Sequence, residues 1–109
     1  MATSRPDDGT LLYLSRAEVE AAAPGPGEIL AAVERAFAAL AAGTARVGNK
    51  GRVQLGTGYF FQSLVGTLDE SGFAGTKWFG VSPDNPARGL PNVSALIVLN
   101  DLATGLPIA

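Results

Sequence analysis

The apolar pattern of this 109-residue chain changes from helical to β-rich period at Gly43, and that change limits the folds open to it. Within 28–42 the apolar residues Ile29, Val33, Phe37 and Leu40 recur at steps of four, four and three, with Glu34 and Arg35 off the stripe. Such spacing puts them on one face of an amphipathic helix. The alanines between them favour helix, and Gly43 stands where a C-terminal cap belongs. The helix is expected to pack on a core and to carry no chemistry. After Gly43 the pattern turns β-rich, with strand-length segments at 52–55, 59–65, 73–81 and 93–100. Gly56-Thr57-Gly58, Asp69-Glu70-Ser71-Gly72 and the long loop 82–91 separate them. The expected fold is α/β of the α+β kind: N-terminal helices packed on a mostly antiparallel β meander.

The two ends extend this reading. Leu11-Leu12-Tyr13-Leu14 reads as a short strand running into a helix, because Ser15 followed by Glu18 fits a capping box. Pro24-Gly25-Pro26-Gly27 stops that helix. Residues 1–10 carry Arg5, Asp7 and Asp8 and no apolar h-region, so they read as a flexible tail and not as a signal peptide. At the other end Asp101-Leu102-Ala103-Thr104-Gly105 reads as a hairpin turn with its glycine in the left-handed position. Leu106 onward should then return beside 95–100, and 106–109 are the four residues of that return within the sequence. Residues 11–109 are thus expected to be one domain, truncated within a hairpin. No internal repeat is present.

Composition excludes several function classes. Apolar residues make up 47% and charged residues 17%, too apolar a balance for general disorder, yet no run approaches the ~20 residues of a membrane span. A net charge of -2 without a basic stripe argues against nucleic acid and anionic lipid as partners. A cytoplasmic location follows. Cysteine and histidine are both absent, which removes disulfides, thiolate nucleophiles, the usual general base and the commonest metal ligands. No metal site is expected.

Gly56-Thr57-Gly58 begins like a phosphate loop, but the third glycine of GxGxxG is missing and no helix follows, so it reads as a hairpin turn. No Walker motif or nucleophile elbow is present, and without histidine the usual serine triads are excluded. The carboxylate pairs Asp69-Glu70 and Glu18-Glu20 read as solvated surface.

Three residues carry more interest. Lys77 interrupts the apolar run Gly72-Phe73-Ala74-Gly75-Thr76-Lys77-Trp78-Phe79-Gly80-Val81. An amine there needs either a path to water along a strand edge or an anionic partner, since unpaired burial costs several kcal/mol. Arg52 could join it on a carboxylate, by a planar two-point contact beside a lysine point charge, or could belong to a solvated stretch with Arg46 and Lys50. Asn92, between Pro91 and the next strand, could hydrogen-bond a ligand at a strand mouth or shape the turn.

The ordered set Leu11-Leu12-Tyr13-Leu14-Ser15, Ala32-Val33-Glu34-Arg35-Ala36-Phe37, Gly75-Thr76-Lys77, Pro83-Asp84-Asn85-Pro86, Gly89-Leu90-Pro91 and Asp101-Leu102-Ala103-Thr104-Gly105-Leu106-Pro107 resembles the N-terminal portion of the ornithine cyclodeaminase/mu-crystallin family. The resemblance spans essentially all of 11–109. It implies a bipartite protein in which an α/β substrate-binding and dimerisation domain is followed by a Rossmann domain, here absent, with NAD or NADP as cofactor and a homodimer when full length. The implied activity is that of a cyclodeaminase, an amino acid dehydrogenase or a ketimine reductase acting on an amino or imino acid. Carried over by position, Arg52 and Lys77 hold the substrate carboxylate, with Arg46 as the alternative to Arg52. Asn92 falls where the family commonly has threonine or serine near the nicotinamide, with Val93 adjacent. No catalytic residue is implied within 1–109, so the piece alone is expected to be inactive. The competing expectation is a non-catalytic small-molecule-binding or dimerisation module of mu-crystallin type.

Overall fold

The computed structural model describes residues 9–109, so the tail expected over 1–10 lies, except for Gly9 and Thr10, outside the described residues. Ser15 caps α1 (Arg16–Ala22) as its spacing to Glu18 requires. Its hydroxyl accepts from the Glu18 amide at 3.2 Å, and the Glu18 carboxylate accepts from the Ser15 amide at 2.6 Å. The pair satisfies two amides that a helix start otherwise leaves open. Pro26 begins α2 (Pro26–Ala42) at a position that needs no amide hydrogen. Gly43 ends it at φ 79°, where the Gly43 and Thr44 amides reach back to the Leu40 and Ala39 carbonyls.

Beyond Gly43 five strands form one antiparallel sheet: β1 (Ala45–Val47), β2 (Gly51–Gly56), β3 (Tyr59–Leu68), β4 (Phe73–Val81) and β5 (Val93–Asp101). The order is β1-β3-β4-β5, with β2 also paired to β3. At ten residues, β3 is long enough to take β1 against Gly66 to Leu68 and β2 against Tyr59 to Ser63 on the same edge. β1 has no counterpart in the sequence reading. Its three residues are too few to show alternation, and Gly48-Asn49-Lys50 separates them from β2.

The turns follow the expected chemistry. Gly58 (φ 68°) closes β2 to β3 and Gly105 (φ 74°) completes the turn after β5, both in the left-handed region that glycine enters freely. Asp101, 1% exposed, braces that second turn by accepting from the Thr104 amide at 3.0 Å and the Thr104 hydroxyl at 2.6 Å. The chain then returns as expected: the Asp101 amide donates to the Leu106 carbonyl and the Ile108 amide to the Leu99 carbonyl. The strand expected over 11–14 does not form. Its backbone meets the returning segment through one bond, from the Leu12 amide to the Ile108 carbonyl at 3.0 Å, and a single rung makes no ladder.

The register sorts side chains onto two faces, because residues paired across antiparallel strands share a face. One face carries the row Arg52, Gln62, Phe79, Ala95, flanked by Leu64, Lys77, Ile97 and by Phe60, Val81, Val93. The opposite face carries Ser63, Trp78, Leu96 and Phe61, Gly80, Ser94. We call these the cation face and the aromatic face. Little of either is covered. Ala39, Gln62 and Asp101 are the buried residues among those described. α2 packs on the sheet at β1 through its C-terminal end, while the stripe expected to pack on a core stays open, with Phe37 70% exposed. Large apolar side chains stay exposed along α2 and on both faces of the sheet, among them Ile29, Leu30, Trp78, Leu96 and Ile97.

Candidate functional site

Arg52 and Lys77 project from the same face of the sheet, and the strand between them supplies what holds them. Arg52 lies opposite Gln62 in the β2–β3 ladder, and Lys77 lies opposite Leu64, two residues further along β3. Strand spacing puts their backbones about 10 Å apart across the sheet and about 7 Å apart along it, within reach of two long side chains converging on one small anion. The Arg52 guanidinium sits 3.8 Å from the centroid of the Phe60 ring, and the Lys77 amine 5.1 Å from that of Phe79. Phe60 and Phe79 touch edge-on at 6.2 Å, so the cations rest on one continuous aromatic floor.

Neither cation has an acidic partner among the described residues. The ion pairs there are Arg16 with Glu20 and Arg46 with Asp69, both at 2.8 Å. In the first, the hydrogen bond to Glu20 and its charge raise the Arg16 guanidinium pKa. Lys77 itself is exposed, so its amine has the path to water that the sequence demanded and stays open to an anion as well.

Arg46 is placed differently. It pairs with Thr67, whose β3 position has the opposite parity to Gln62, so it belongs to the other face, where Asp69 accepts two of its nitrogens at 2.8 and 3.5 Å. Of the two arginines weighed from the sequence, Arg52 shares a face with Lys77. Asn92 and Val93 are exposed at the mouth of β5. The Asn92 carbonyl accepts from the Ser82 amide at 2.9 Å, closing the loop, and Val93 pairs with Val81 on the cation face.

Gln62 escaped the sequence reading. It is 5% exposed, and its Oε1 accepts from the Arg52 Nε–H at 2.7 Å. Sheet centres are ordinarily apolar, so an amide inside the run Phe60-Phe61-Gln62-Ser63-Leu64 is the signal that was available.

The described residues offer no cradle for the phosphates of a dinucleotide. Gly56-Thr57-Gly58 joins two strands of a hairpin, so it offers no helix N-terminus for phosphates. Among the described residues no cluster of three or more acidic side chains could hold a metal ion, and no helix is long and apolar enough to cross a membrane. A shallow cleft of about 450 Å³ opens on the aromatic face beside Trp78, Arg88 and Leu96, away from the paired cations.

The sequence profile of the ornithine cyclodeaminase/mu-crystallin family matches residues 11–109. The chain belongs to that family. An alanine dehydrogenase of Archaeoglobus fulgidus is 38% identical over 98 residues, covering 90% of this chain and 29% of that protein. Among solved structures, an archaeal alanine dehydrogenase dimer with bound NAD superposes with a TM-score of 0.82 at 36% identity, over 91% of this chain and 30% of its own. The Δ1-pyrroline-2-carboxylate reductase of Thermococcus litoralis, in complex with NADH and L-proline, superposes with a TM-score of 0.73 at 33% identity, over 79% and 27%. This ornithine cyclodeaminase/mu-crystallin chain therefore spans under a third of the length of the relatives it matches.

Proposed function

We propose that these residues form the carboxylate-binding part of an NAD(P)-dependent enzyme that acts on an amino or imino acid. The observation that carries the reading is the placement of Arg52 and Lys77 on one face with no acidic partner for either among the described residues. Two like charges held near each other favour an anion, and an α-carboxylate has the size and the two oxygens to meet a guanidinium fork and an ammonium together. The relatives lend support, since one solved neighbour holds NAD and another NADH with L-proline, an α-amino acid.

In this reading Arg52 and Lys77 fix the acid by its carboxylate and set its α-carbon against the nicotinamide, which supplies or accepts the hydride when bound. Asn92 and Val93 border the nicotinamide from the mouth of β5. The aromatic face meets a second copy: Trp78 is 46% exposed and Leu96 57%, and the neighbouring alanine dehydrogenase is a dimer. Cyclodeaminase, dehydrogenase and reductase outcomes share this carboxylate step.

A panel of amino acids assayed for NAD(P)+ reduction with the intact protein tests the proposal. Turnover of at least one α-amino acid, competitively inhibited by its deaminated carboxylate analogue, is expected. Turnover of amines that lack a carboxylate at equal efficiency would contradict it.

A further inference from the structure

Arg52 is held at two points that leave its outer edge open. Its Nε–H is taken by Gln62 Oε1 at 2.7 Å, and the flat of the guanidinium is taken by the Phe60 ring at 3.8 Å. A guanidinium has five N–H donors in a rigid fork, and these two contacts use one donor and one face. The terminal Nη groups stay available, aimed along a direction fixed by the other two contacts.

The choice of residue is informative. Gln62 and Asp101 are the two buried polar residues among those described, and Asp101 is absorbed by its own turn. A glutamate at 62 would offer two anionic oxygens to the same guanidinium and satisfy it in the two-point manner that a substrate carboxylate uses. A neutral amide oxygen accepts one N–H and leaves the positive charge uncompensated. Its position reinforces this role, because Gln62 lies between Arg52 and Phe79 in one row and Lys77 stands in the next row along β4.

We propose that Gln62 is a positioning residue for the anion site: its buried amide oxygen orients the Arg52 guanidinium toward Lys77 without neutralising it. The inference rests on the reading of Arg52 as a carboxylate ligand and adds the group that presets it. Orientation in advance strengthens ligand binding because the ordering of a long side chain is no longer charged to the binding step. Gln62 touches Arg52 and needs no contact with the ligand.

The test uses the intact protein labelled with 15N-arginine, with L-proline titrated in the presence of NADH as the probe. In the wild type the Arg52 Nε–H should exchange with solvent well below the rate of the exposed Arg35. Gln62→Met, similar in length and without an acceptor, should bring the two rates together and weaken L-proline binding about tenfold, the loss of one hydrogen bond to a charged group. Gln62→Glu should restore slow exchange at Arg52 and still bind L-proline weakly, because the new carboxylate competes for the fork. A merely structural Gln62 would not separate these two readouts.

Equal exchange rates for Arg52 and Arg35 in the wild type overturn the proposal without any variant. Gln62→Met that binds L-proline as the wild type does, while Arg52→Ala loses binding, overturns the positioning role and leaves the carboxylate site standing. Arg52→Ala that binds as the wild type removes the site itself, and the positioning role with it.

Discussion

Arg52 and Lys77 stand one strand apart on the same face of the sheet, each over a phenylalanine ring, with buried Gln62 in the strand between. Like charges this near repel, and nothing acidic among the described residues offsets them. The arrangement is stable because the rings and the amide take up donors and faces while water takes the rest. An anion that displaces that water gains from both cations together.

Arg46 provides the internal control. Its ion pair with Asp69 is exposed, with 62% and 41% of the two side chains open, and it lies on the other face. Arg46→Ala should change stability by less than about 1 kcal/mol and leave amino acid affinity unchanged. Thermal melting and an L-proline titration check both parts, and a loss of affinity matching that of Arg52→Ala would move the site to the wrong face.

Gly80 marks a close approach on the aromatic face. A Cβ there would stand 2.8 Å from Phe61 Cε1 and 3.1 Å from Cδ1, and the Phe61 ring is the one stacked on Trp78 at 5.9 Å. Gly80→Ala should push the ring off that stack and cost about 1–3 kcal/mol. A denaturant melt reads the loss, while affinity for the anion, bound on the other face, should stay within about twofold.

Asp101 should matter to folding and not to chemistry. It is 1% exposed and its carboxylate takes the Thr104 amide and hydroxyl. Asp101→Ala leaves those donors without their acceptor and frees the turn that returns the chain to Leu99. A loss of about 2–3 kcal/mol in chemical denaturation is expected, with faster amide exchange at Ile108.

Trp78 tests the aromatic face. Placing a charge at the centre of an apolar interface disfavours it strongly, so Trp78→Glu should shift the intact protein from dimer to monomer in sedimentation velocity. Retention of the dimer would assign the second copy elsewhere.

Much of this architecture was legible in the sequence because local chemistry determined it. Ser15 with Glu18, Gly43, Gly58 and Gly105 each serve the cap or turn their residue types demand, while β4 followed from its apolar run between turn signals and the stripe of α2 from its helical period. What pairing decides was not legible. β1 exists because β3 is long enough to hold two partners, and 11–14 fails as a strand because it finds one rung. The site divides in the same way. Lys77 announced itself as a charge among apolar residues, whereas the separation of Arg52 from Arg46 needed the register with β3, and Gln62 acquires meaning only when Arg52 lies beside it. The α2 stripe predicted burial that none of the described elements supplies, since intramolecular period carries no information on what covers a face.

The most direct test is the affinity of the intact protein for an α-amino acid when each cation is removed separately. With L-proline titrated in the presence of NADH, Arg52→Ala and Lys77→Ala should each weaken binding by about tenfold to a hundredfold, with the circular dichroism spectrum unchanged. The double variant should lose little more than the worse single one, because the two cations hold the same carboxylate. Affinity equal to the wild type in both single variants would contradict the account.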